Sequence, residues 1–301
     1  MSAIKKIVEC VPNFSEGRDL KVIEKIVEPF RGKEGVRLLN YEPDKDYNRV
    51  VVTVIGEPEA LKNAVVEAIG AATQLIDLTK HEGQHSRMGA TDVVPFIPIK
   101  NVTMDECIEL AKETGKMIAD QYNIPVFLYE NAASKVERQN LAEVRKGQFE
   151  GMPEKLKNSE WQPDFGKPTI HPTAGVTAVG ARMPLVAYNI DLDTTNIDIA
   201  NHIAKCIRNS NGGFKYIKAG GVSLIDRGIT QVTMNITDYT KTSMYRAFET
   251  VKMEAKRYGV NVLGSEIVGL VPMEALIDTS AYYLGLYHFT MDKVIETHIM
   301  E

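Results

Sequence analysis

Short apolar segments and longer amphipathic segments follow one another in the same order in both halves of the chain, and this order constrains the fold most. A two-residue apolar period indicates a strand, and a three- and four-residue period indicates a helix. The first half predicts strands at residues 4–11, 36–41, 49–55, 93–99 and 126–129, and helices at 19–30, from 58 and at 104–122. The second half predicts strands at residues 183–190, 214–225, 230–236 and 261–267, and helices at 196–207 and 243–258.

Both halves contain at least the first five elements of the order strand, helix, strand, strand, helix, strand, which is that of a ferredoxin-like unit. The sequence therefore predicts an α/β (α+β) fold with two ferredoxin-like βαββαβ-type subdomains, at residues 1–180 and 181–301. Clefts between domains are favoured ligand sites, so a ligand groove is expected between the two subdomains.

Composition and charge exclude several classes of protein. Hydrophobic residues make up 44% of the 301 residues and charged residues 25%, which is typical of soluble globular chains. The net charge of -5 disfavours a nucleic-acid partner. The apolar stretches are shorter than a membrane span, and no signal peptide is recognised, so a cytoplasmic protein without a membrane partner is expected. Three cysteines without a C-x-x-C pair, Cys10, Cys107 and Cys206, are interpreted as small buried hydrophobes.

The stretch from residue 151 to 175 is rich in residues that break regular structure. Four prolines and Gly166 interrupt it, so no regular element is predicted there. A long irregular segment in a compact protein is usually functional or disordered, and Trp161 and Phe165 favour an ordered, functional one.

Residues 81–85 spell H-E-x-x-H, which on a helix would hold zinc through His81 and His85 with Glu82 as a base. Gly83 lies inside the motif, and no third ligand is suitably placed downstream. A loop without metal is therefore predicted, and a zinc hydrolase remains the alternative.

Two polar stretches are candidate ligand sites on their residue types alone. His85, Arg87 and Asp92 bring an imidazole, a guanidinium and a carboxylate into eight residues, which suits acid–base chemistry on a substrate that carries a carboxylate. An exposed polar loop is the alternative. Asn13 lies in a turn between a strand and a helix, where it either binds a polar ligand or caps the helix.

Four ordered blocks of residues resemble the formiminotransferase family. They are V-E-C-V-P-N-F-S-E-G at residues 8–17, H-x-R-M-G-A-x-D-V with P-F-I-P at 85–98, W-x-P-D-F-G at 161–166 and G-A-R at 180–182. The similarity continues through residues 262–276 and covers essentially the whole chain. It implies transfer of a formimidoyl group between glutamate and tetrahydrofolate, within histidine degradation and one-carbon metabolism.

By this resemblance His85 is the catalytic histidine, and the folate-binding loop comprises Gly166, Lys167, Pro168, Thr169, Ile170, His171, Pro172, Thr173, Ala174 and Gly175. The chain departs from the family at Ser86 and at most of residues 167–174. The remaining residues expected to bind substrate or folate are Asn13, Asn40, Glu42, Asn48, Arg49, Arg87, Asp92, Asp164 and Arg182. Among these the arginines either bind the carboxylates of glutamate or folate, or pair with surface acids.

The resemblance also implies partners. Tetrahydrofolate is expected as co-substrate beside a glutamate derivative, with no metal, and a homodimer is expected. In animals the family unit is fused to a cyclodeaminase domain, for which 301 residues leave no room, so that activity is expected to be absent. Two further alternatives are formyl rather than formimidoyl transfer and a folate-binding protein without turnover.

Overall fold

The computed structural model describes residues 5–84 and 86–299. Contacts divide the chain into two compact units, with the boundary between Arg182 and Met183. Each unit is a mixed α/β structure with its own sheet and its own hydrophobic core. The predicted fold class of two α/β subdomains is confirmed. None of the helices in the described part of the chain is long and apolar enough to cross a membrane.

In its described residues the first unit has seven strands: β1 (Ile7–Cys10), β2 (Asn13–Phe14), β3 (Val36–Asp44), β4 (Arg49–Gly56), β5 (Thr91–Lys100), β6 (Val126–Glu130) and β7 (Thr177–Ala181). The helices of this unit are α1 (Leu20–Val27), α2 (Pro58–Leu75), α3 (Met104–Tyr122), α4 (Leu141–Arg145) and α5 (Gln148–Lys155). Single 3-10 turns lie at Glu28–Phe30, Val136–Arg138 and Ser159–Trp161.

In the sheet of the first unit, β1 pairs with β4 on one side and with β5 on the other, and β3 pairs with β4 at the edge. All of these pairs are antiparallel, which is the ferredoxin-like arrangement. The short β2 continues β1 and also lies between β4 and β5. Pro12 separates β1 from β2 because proline has no N–H to donate to the ladder. Strand β7 then adds to β5, and β6 to β7, both parallel.

The helices of the first unit cover the sheet on both faces. The larger core, which includes Val8, Cys10 and Val52, lies on the face covered by α1, α2 and α3. A smaller core forms where α4 and α5 pack near β6 and β7, and it contains Phe127 and Met152. Because strand side chains alternate between faces, the residues between those of the larger core point to the other face.

The second unit has the strands β8 (Val186–Leu192), β9 (Ile217–Leu224), β10 (Ile229–Ile236) and β11 (Val262–Val268), in the antiparallel order β11-β8-β10-β9. Its helices are α6 (Ile197–Ile207), α7 (Met244–Lys256), α8 (Met273–Leu284) and α9 (Ile295–Ile299), with 3-10 turns at Asn209–Asn211, Ile225–Arg227 and Met291–Lys293. The spatial order of the four strands is the same as that of β5-β1-β4-β3 in the first unit. The order of elements predicted for both halves is therefore confirmed.

The ends of the helices follow local chemistry. Asp19 accepts hydrogen bonds from two backbone N–H groups at the start of α1, and Pro58 takes the first position of α2. Thr103 and Glu106 form a reciprocal capping box at α3, and Asn123 in the left-handed conformation ends that helix.

Two sequence expectations are wrong in detail. Gly151–Lys155 was expected to be irregular, but residues 148–155 form α5 with Pro153 inside the helix. Phe149 and Met152 on this helix are buried, so packing outweighs the low helix propensity of proline and glycine. Cys206 was expected to be buried, but it is exposed because the core face of α6 carries Ile203 and Ile207 instead.

Candidate functional site

Residues 81–84 and 86–88 belong to no helix or strand, so the predicted loop is confirmed for them. Gly83 packs tightly on the turn between β3 and β4, where a Cβ atom would lie 2.4 Å from the backbone oxygen of Tyr47. Within residues 5–84 and 86–299 there is no group of three His, Cys, Asp or Glu residues that could hold a metal ion. His85, the predicted catalytic residue, lies outside the described residues.

His81 uses both ring nitrogens to hold this loop in place. Its Nε2 lies 2.8 Å from the backbone oxygen of Asn48, and its Nδ1 accepts a hydrogen bond from Nε of Arg87 at 3.3 Å. A carbonyl oxygen only accepts hydrogen bonds, so these two contacts require the neutral ring with its proton on Nε2. His81 therefore connects the loop to the turn before β4.

Arg87 is buried and forms two hydrogen bonds to the carboxylate of Glu150, at 2.7 and 2.9 Å. The backbone N–H of Phe149 also donates to the backbone oxygen of Arg87 at 2.9 Å. This guanidinium lowers the pKa of Glu150 below its ordinary value. The structure thus places Arg87, a predicted ligand of substrate carboxylates, in a bidentate pair with a carboxylate of the protein.

Asn48 is buried and adopts the left-handed backbone conformation, with φ of 49°. Its Oδ1 accepts a hydrogen bond from Gly17 at 2.9 Å, and its Nδ2 donates to the backbone oxygen of Glu82 at 2.9 Å. Asn48 therefore fastens the turn before β4 to two other loops, and these side-chain contacts are made within the protein.

Asp92 and Asp164, both predicted ligand residues, lie in buried ion pairs. Oδ1 of Asp92 accepts a hydrogen bond from the backbone of Met88, and Oδ2 accepts one from Arg145 Nε at 2.8 Å. Oδ2 of Asp164 accepts hydrogen bonds from the backbone of Leu128 at 2.7 Å and from Arg138 at 2.8 Å. Both carboxylates therefore position main-chain segments around the predicted site.

The predicted folate loop folds back on itself and on the loop that follows α2. His171 and Gly175 exchange two backbone hydrogen bonds, and Nδ1 of His171 accepts one from Ala174 N–H at 3.0 Å. Ala174 O and Met88 O accept hydrogen bonds from Ala90 N–H and Val176 N–H respectively. Burial lowers the pKa of His171. We call the described part of residues 78–90, together with residues 165–176, the loop cluster.

The tip of the predicted folate loop is accessible to solvent. Residues 166–169 and Pro172 are exposed, whereas Ala174 and Gly175 are buried where the loop rejoins the sheet. Gly166 and Gly175 have positive φ angles of 86° and 69°, which favour glycine. The two glycines thus bound a turn with a buried base and an exposed tip.

A second set of predicted ligands shares one face of the sheet. Phe14 belongs to the larger core, so Asn13 points to the other face, opposite Val51 of β4. Across β4, Glu42 pairs in register with Val51 and Asn40 with Thr53, which places their side chains on that same face. We call the face that carries Glu9, Asn13, Asn40, Glu42 and Arg49 the polar face.

Two arginines give the polar face positive charge. Arg49 is half-buried, its guanidinium lies 5.7 Å from the ring centre of Tyr47, and burial together with nearby Arg145 lowers its pKa. Arg182 follows β7 and donates its backbone N–H to the backbone oxygen of Phe96, and its charge partly offsets the rise that burial causes in the pKa of Glu9. The face therefore combines amides, carboxylates and guanidinium groups.

Four residues of this region were missed by the sequence reasoning. Arg138, Arg145 and Glu150 lie on short helical segments that residue patterns did not reveal, and each supports a predicted site residue. Glu9 carried a visible signal, because it is a charged residue inside a predicted apolar strand.

The chain is similar to known proteins along its whole length. The model of the formiminotransferase domain, N-terminal subdomain, matches residues 7–182, and that of the formiminotransferase domain matches residues 187–299. A glutamate formimidoyltransferase from Streptococcus pyogenes serotype M1 is 55% identical over 98% of this chain and 99% of its own. One from Thermoplasma acidophilum is 42% identical over 96% of each chain. A formimidoyltransferase-cyclodeaminase from Rattus norvegicus is 41% identical over 93% of this chain and 53% of its own.

Proposed function

Because the chain belongs to the formiminotransferase family, we propose that it is an enzyme that transfers a formimidoyl group between N-formimidoyl-L-glutamate and tetrahydrofolate. The observation that carries this proposal is the similarity of both units, at 55% identity, to a glutamate formimidoyltransferase. Tetrahydrofolate is then a co-substrate, and the chemistry takes place between two bound molecules.

The proposed reaction moves one carbon between two nitrogens. The amine of glutamate attacks the formimidoyl carbon on N5 of the folate, and a tetrahedral intermediate forms. The bond from this carbon to N5 breaks as N5 receives a proton, while the attacking nitrogen loses one. The reverse sequence transfers the group to tetrahydrofolate. Holding both molecules in register lowers the entropic part of the barrier.

We assign the proton transfers to His85, since histidine exchanges protons near neutral pH. Its neighbours on the loop are held firmly, because Gln84 N–H donates to Asp46 and Arg87 is locked by Glu150. His81, in contrast, has both ring nitrogens engaged with the protein. These contacts of His81 argue against His81 as the acid–base group, and the family resemblance points to His85.

We propose that the polar face and the tip of residues 166–169 bind the substrates. Glutamate and the folate tail carry carboxylates, and guanidinium groups bind these through parallel hydrogen bonds. Arg182 and Arg49 are at the polar face, whereas Arg87 already holds Glu150. The place of Arg49 and Arg182 on the same face as Asn13 and Glu42 supports these two arginines as ligands for substrate carboxylates.

The direct test is turnover with purified protein. N-formimidoyl-L-glutamate and tetrahydrofolate should give glutamate and formimidoyl folate, and N-formyl-L-glutamate should be a poorer donor. Equal or greater use of the formyl donor would favour formyl transfer. Binding of folate without any product would favour a binding protein.

A zinc hydrolase built on His81, Glu82 and His85 makes a different prediction. Zinc would then be present near one equivalent, and a chelator would remove metal and activity together. We expect turnover to survive chelation, because His81 contacts Asn48 and Arg87 through its two ring nitrogens.

The proposal also includes a cytoplasmic homodimer. Free Cys10, Cys107 and Cys206 suit a reducing compartment. Large apolar side chains are exposed on the second unit, including Leu284 at 71% and Tyr287 at 91%, and such groups favour an interface. Sedimentation velocity at micromolar concentration should show a dimer, and a monomer at all concentrations would contradict it.

A further inference from the structure

The formimidoyl group, which is proposed to be transferred, differs in charge from the formyl group. A formimidoyl group attached to nitrogen is an amidine, which is protonated near neutral pH and presents several N–H donors. A formyl group on the same nitrogen is neutral and presents a carbonyl oxygen, which only accepts hydrogen bonds. A site that prefers the first group therefore needs a hydrogen-bond acceptor, and a negative charge serves best.

Glu9 lies on the polar face, on the central strand β1 and opposite Ile55, towards the end of β4 that is remote from Arg49. Val8 and Cys10, its neighbours in β1, belong to the larger core, so the side chain of Glu9 points to the opposite face. In register it lies between Ile55 of β4 and Ile97 of β5. A carboxylate flanked by apolar strand positions contributes little to packing, so its presence there calls for another explanation.

The surroundings of Glu9 leave its carboxylate available for a ligand. The side chain is half-buried, and within residues 5–84 and 86–299 no hydrogen bond to its carboxylate is found. Burial raises its pKa, and the nearby charge of Arg182 only partly offsets this. A half-buried carboxylate without donors from the protein can accept hydrogen bonds from the N–H groups of a bound cation.

Other carboxylates of the first unit differ from Glu9 in this respect. Asp92 is bonded to Met88 and Arg145, and Asp164 is bonded to Leu128 and Arg138. These two therefore have their acceptor capacity used within the protein, whereas Glu9 does not.

We propose that Glu9 binds the protonated formimidoyl group of the substrate and determines the preference of this site for formimidoyl over formyl donors. Two N–H groups of the amidinium donate to the two oxygens of the carboxylate, in the manner of an arginine–carboxylate pair. A formyl oxygen at the same position would face a negative charge with no hydrogen to share. The inference rests on the proposed transfer reaction.

The test is the ratio of kcat/KM for N-formimidoyl-L-glutamate to that for N-formyl-L-glutamate, each with tetrahydrofolate. Glu9→Gln keeps the shape of the side chain but removes its charge. We expect the formimidoyl value to fall about 10- to 100-fold, since charge-assisted hydrogen bonds are lost, while the formyl value stays constant or rises. Glu109→Gln, an exposed position on α3, is the control and should leave the ratio unchanged.

The possible outcomes separate the two proposals. If wild-type protein transfers neither group, the proposed function fails and this inference fails with it. If wild type transfers the formimidoyl group but Glu9→Gln lowers kcat/KM equally for both donors, or for neither, only the assignment of Glu9 is overturned.

A second measurement needs no variant and so does not depend on folding of Glu9→Gln. Formamidinium chloride and formamide are compared as competitive inhibitors of wild-type protein against N-formimidoyl-L-glutamate. The cation should compete at least about 10-fold better, as one charge-assisted contact implies. Equal inhibition by the two compounds would overturn the proposal.

Discussion

The loop cluster and the polar face both carry residues predicted to bind substrate, but these residues are used differently. In and beside the loop cluster, Arg87, Asp92 and Asp164 are bonded to other side chains of the protein. On the polar face, Glu9 is half-buried and points away from the larger core, while Asn13 donates to the backbone oxygen of Val11 and Asn40 donates to Glu42. The ion pairs thus position the chain, whereas the residues of the polar face are those that we propose to face a ligand.

This division makes separate predictions for the two regions. Substitutions that break the internal pairs should lower stability first, with activity lost as a consequence. Substitutions on the polar face should change substrate affinity or selectivity in a protein that remains folded. The loss of stability is expected because some of these ion pairs have a buried member. Removal of its partner leaves a buried charge uncompensated.

The largest expected effect concerns His81 and His85. His85→Ala should lower kcat by about two to four powers of ten, the usual contribution of a positioned acid–base group. His81→Ala should lower kcat by much less, because it removes contacts to Asn48 and Arg87 without removing the proton carrier. Steady-state kinetics of both variants measure this. Equal losses would point to a shared role of the two rings.

The next effect concerns the stability of the loop cluster. Asp164→Ala leaves the buried guanidinium of Arg138 without its carboxylate, so the free energy of unfolding should fall by about 3 to 5 kcal/mol. Glu154→Ala breaks an exposed pair with Lys157 and should cost about 0.5 kcal/mol or less. Urea denaturation compares the two. A stable Asp164→Ala protein with weakened folate binding would instead make Asp164 a ligand.

A smaller effect is expected on the polar face. Arg182→Ala should raise KM for the substrate whose carboxylate it binds by about 10- to 100-fold, with a lesser change in kcat. Arg257→Ala, at an exposed pair with Glu254 on the second unit, serves as the control. Unchanged KM values for both substrates would remove Arg182 from the binding surface.

The smallest effect is the pH dependence of stability that Glu9 contributes. Its pKa in the folded protein is raised above 4.5, so the folded state binds this proton more tightly than the unfolded chain. The resulting stability is fully present below about pH 4.5 and is lost as pH rises through the folded-state pKa. Glu9→Gln should remove this decline from the free energy of unfolding. Parallel pH profiles of wild type and variant would show that Glu9 does not titrate in this way.

Long periodic elements were the most predictable parts of the fold. Helix α3 was predicted at residues 104–122 and is found at Met104–Tyr122, and β10 was predicted within one residue of Ile229–Ile236. Their apolar periods are long enough to outweigh local ambiguity. Strand β7 and helices α4, α5 and α8 were not predicted. The two short helices α4 and α5 form where they are packed against the sheet, so their local sequence carries a weak signal.

The residues of the candidate site were also only partly predictable from the local sequence. Asn13, Asn40 and Glu42 were named from their positions beside strands, and alternation along those strands places them on one face. The roles of Arg87 and Asp164 were not predictable in the same way. Their partners, Glu150 and Arg138, lie on segments to which no helix or strand was assigned.

The sequence by itself determined the order of strands and helices, the two-unit organisation and the family, because apolar periodicity and family motifs are written along the chain. Only the tertiary structure decided which charged residues are used internally. Arg138 and Asp164 are 26 residues apart, Asp92 and Arg145 are 53 apart, and Arg87 and Glu150 are 63 apart. A hydrogen bond depends on distances of about 3 Å between atoms, and only the folded chain brings such distant residues together.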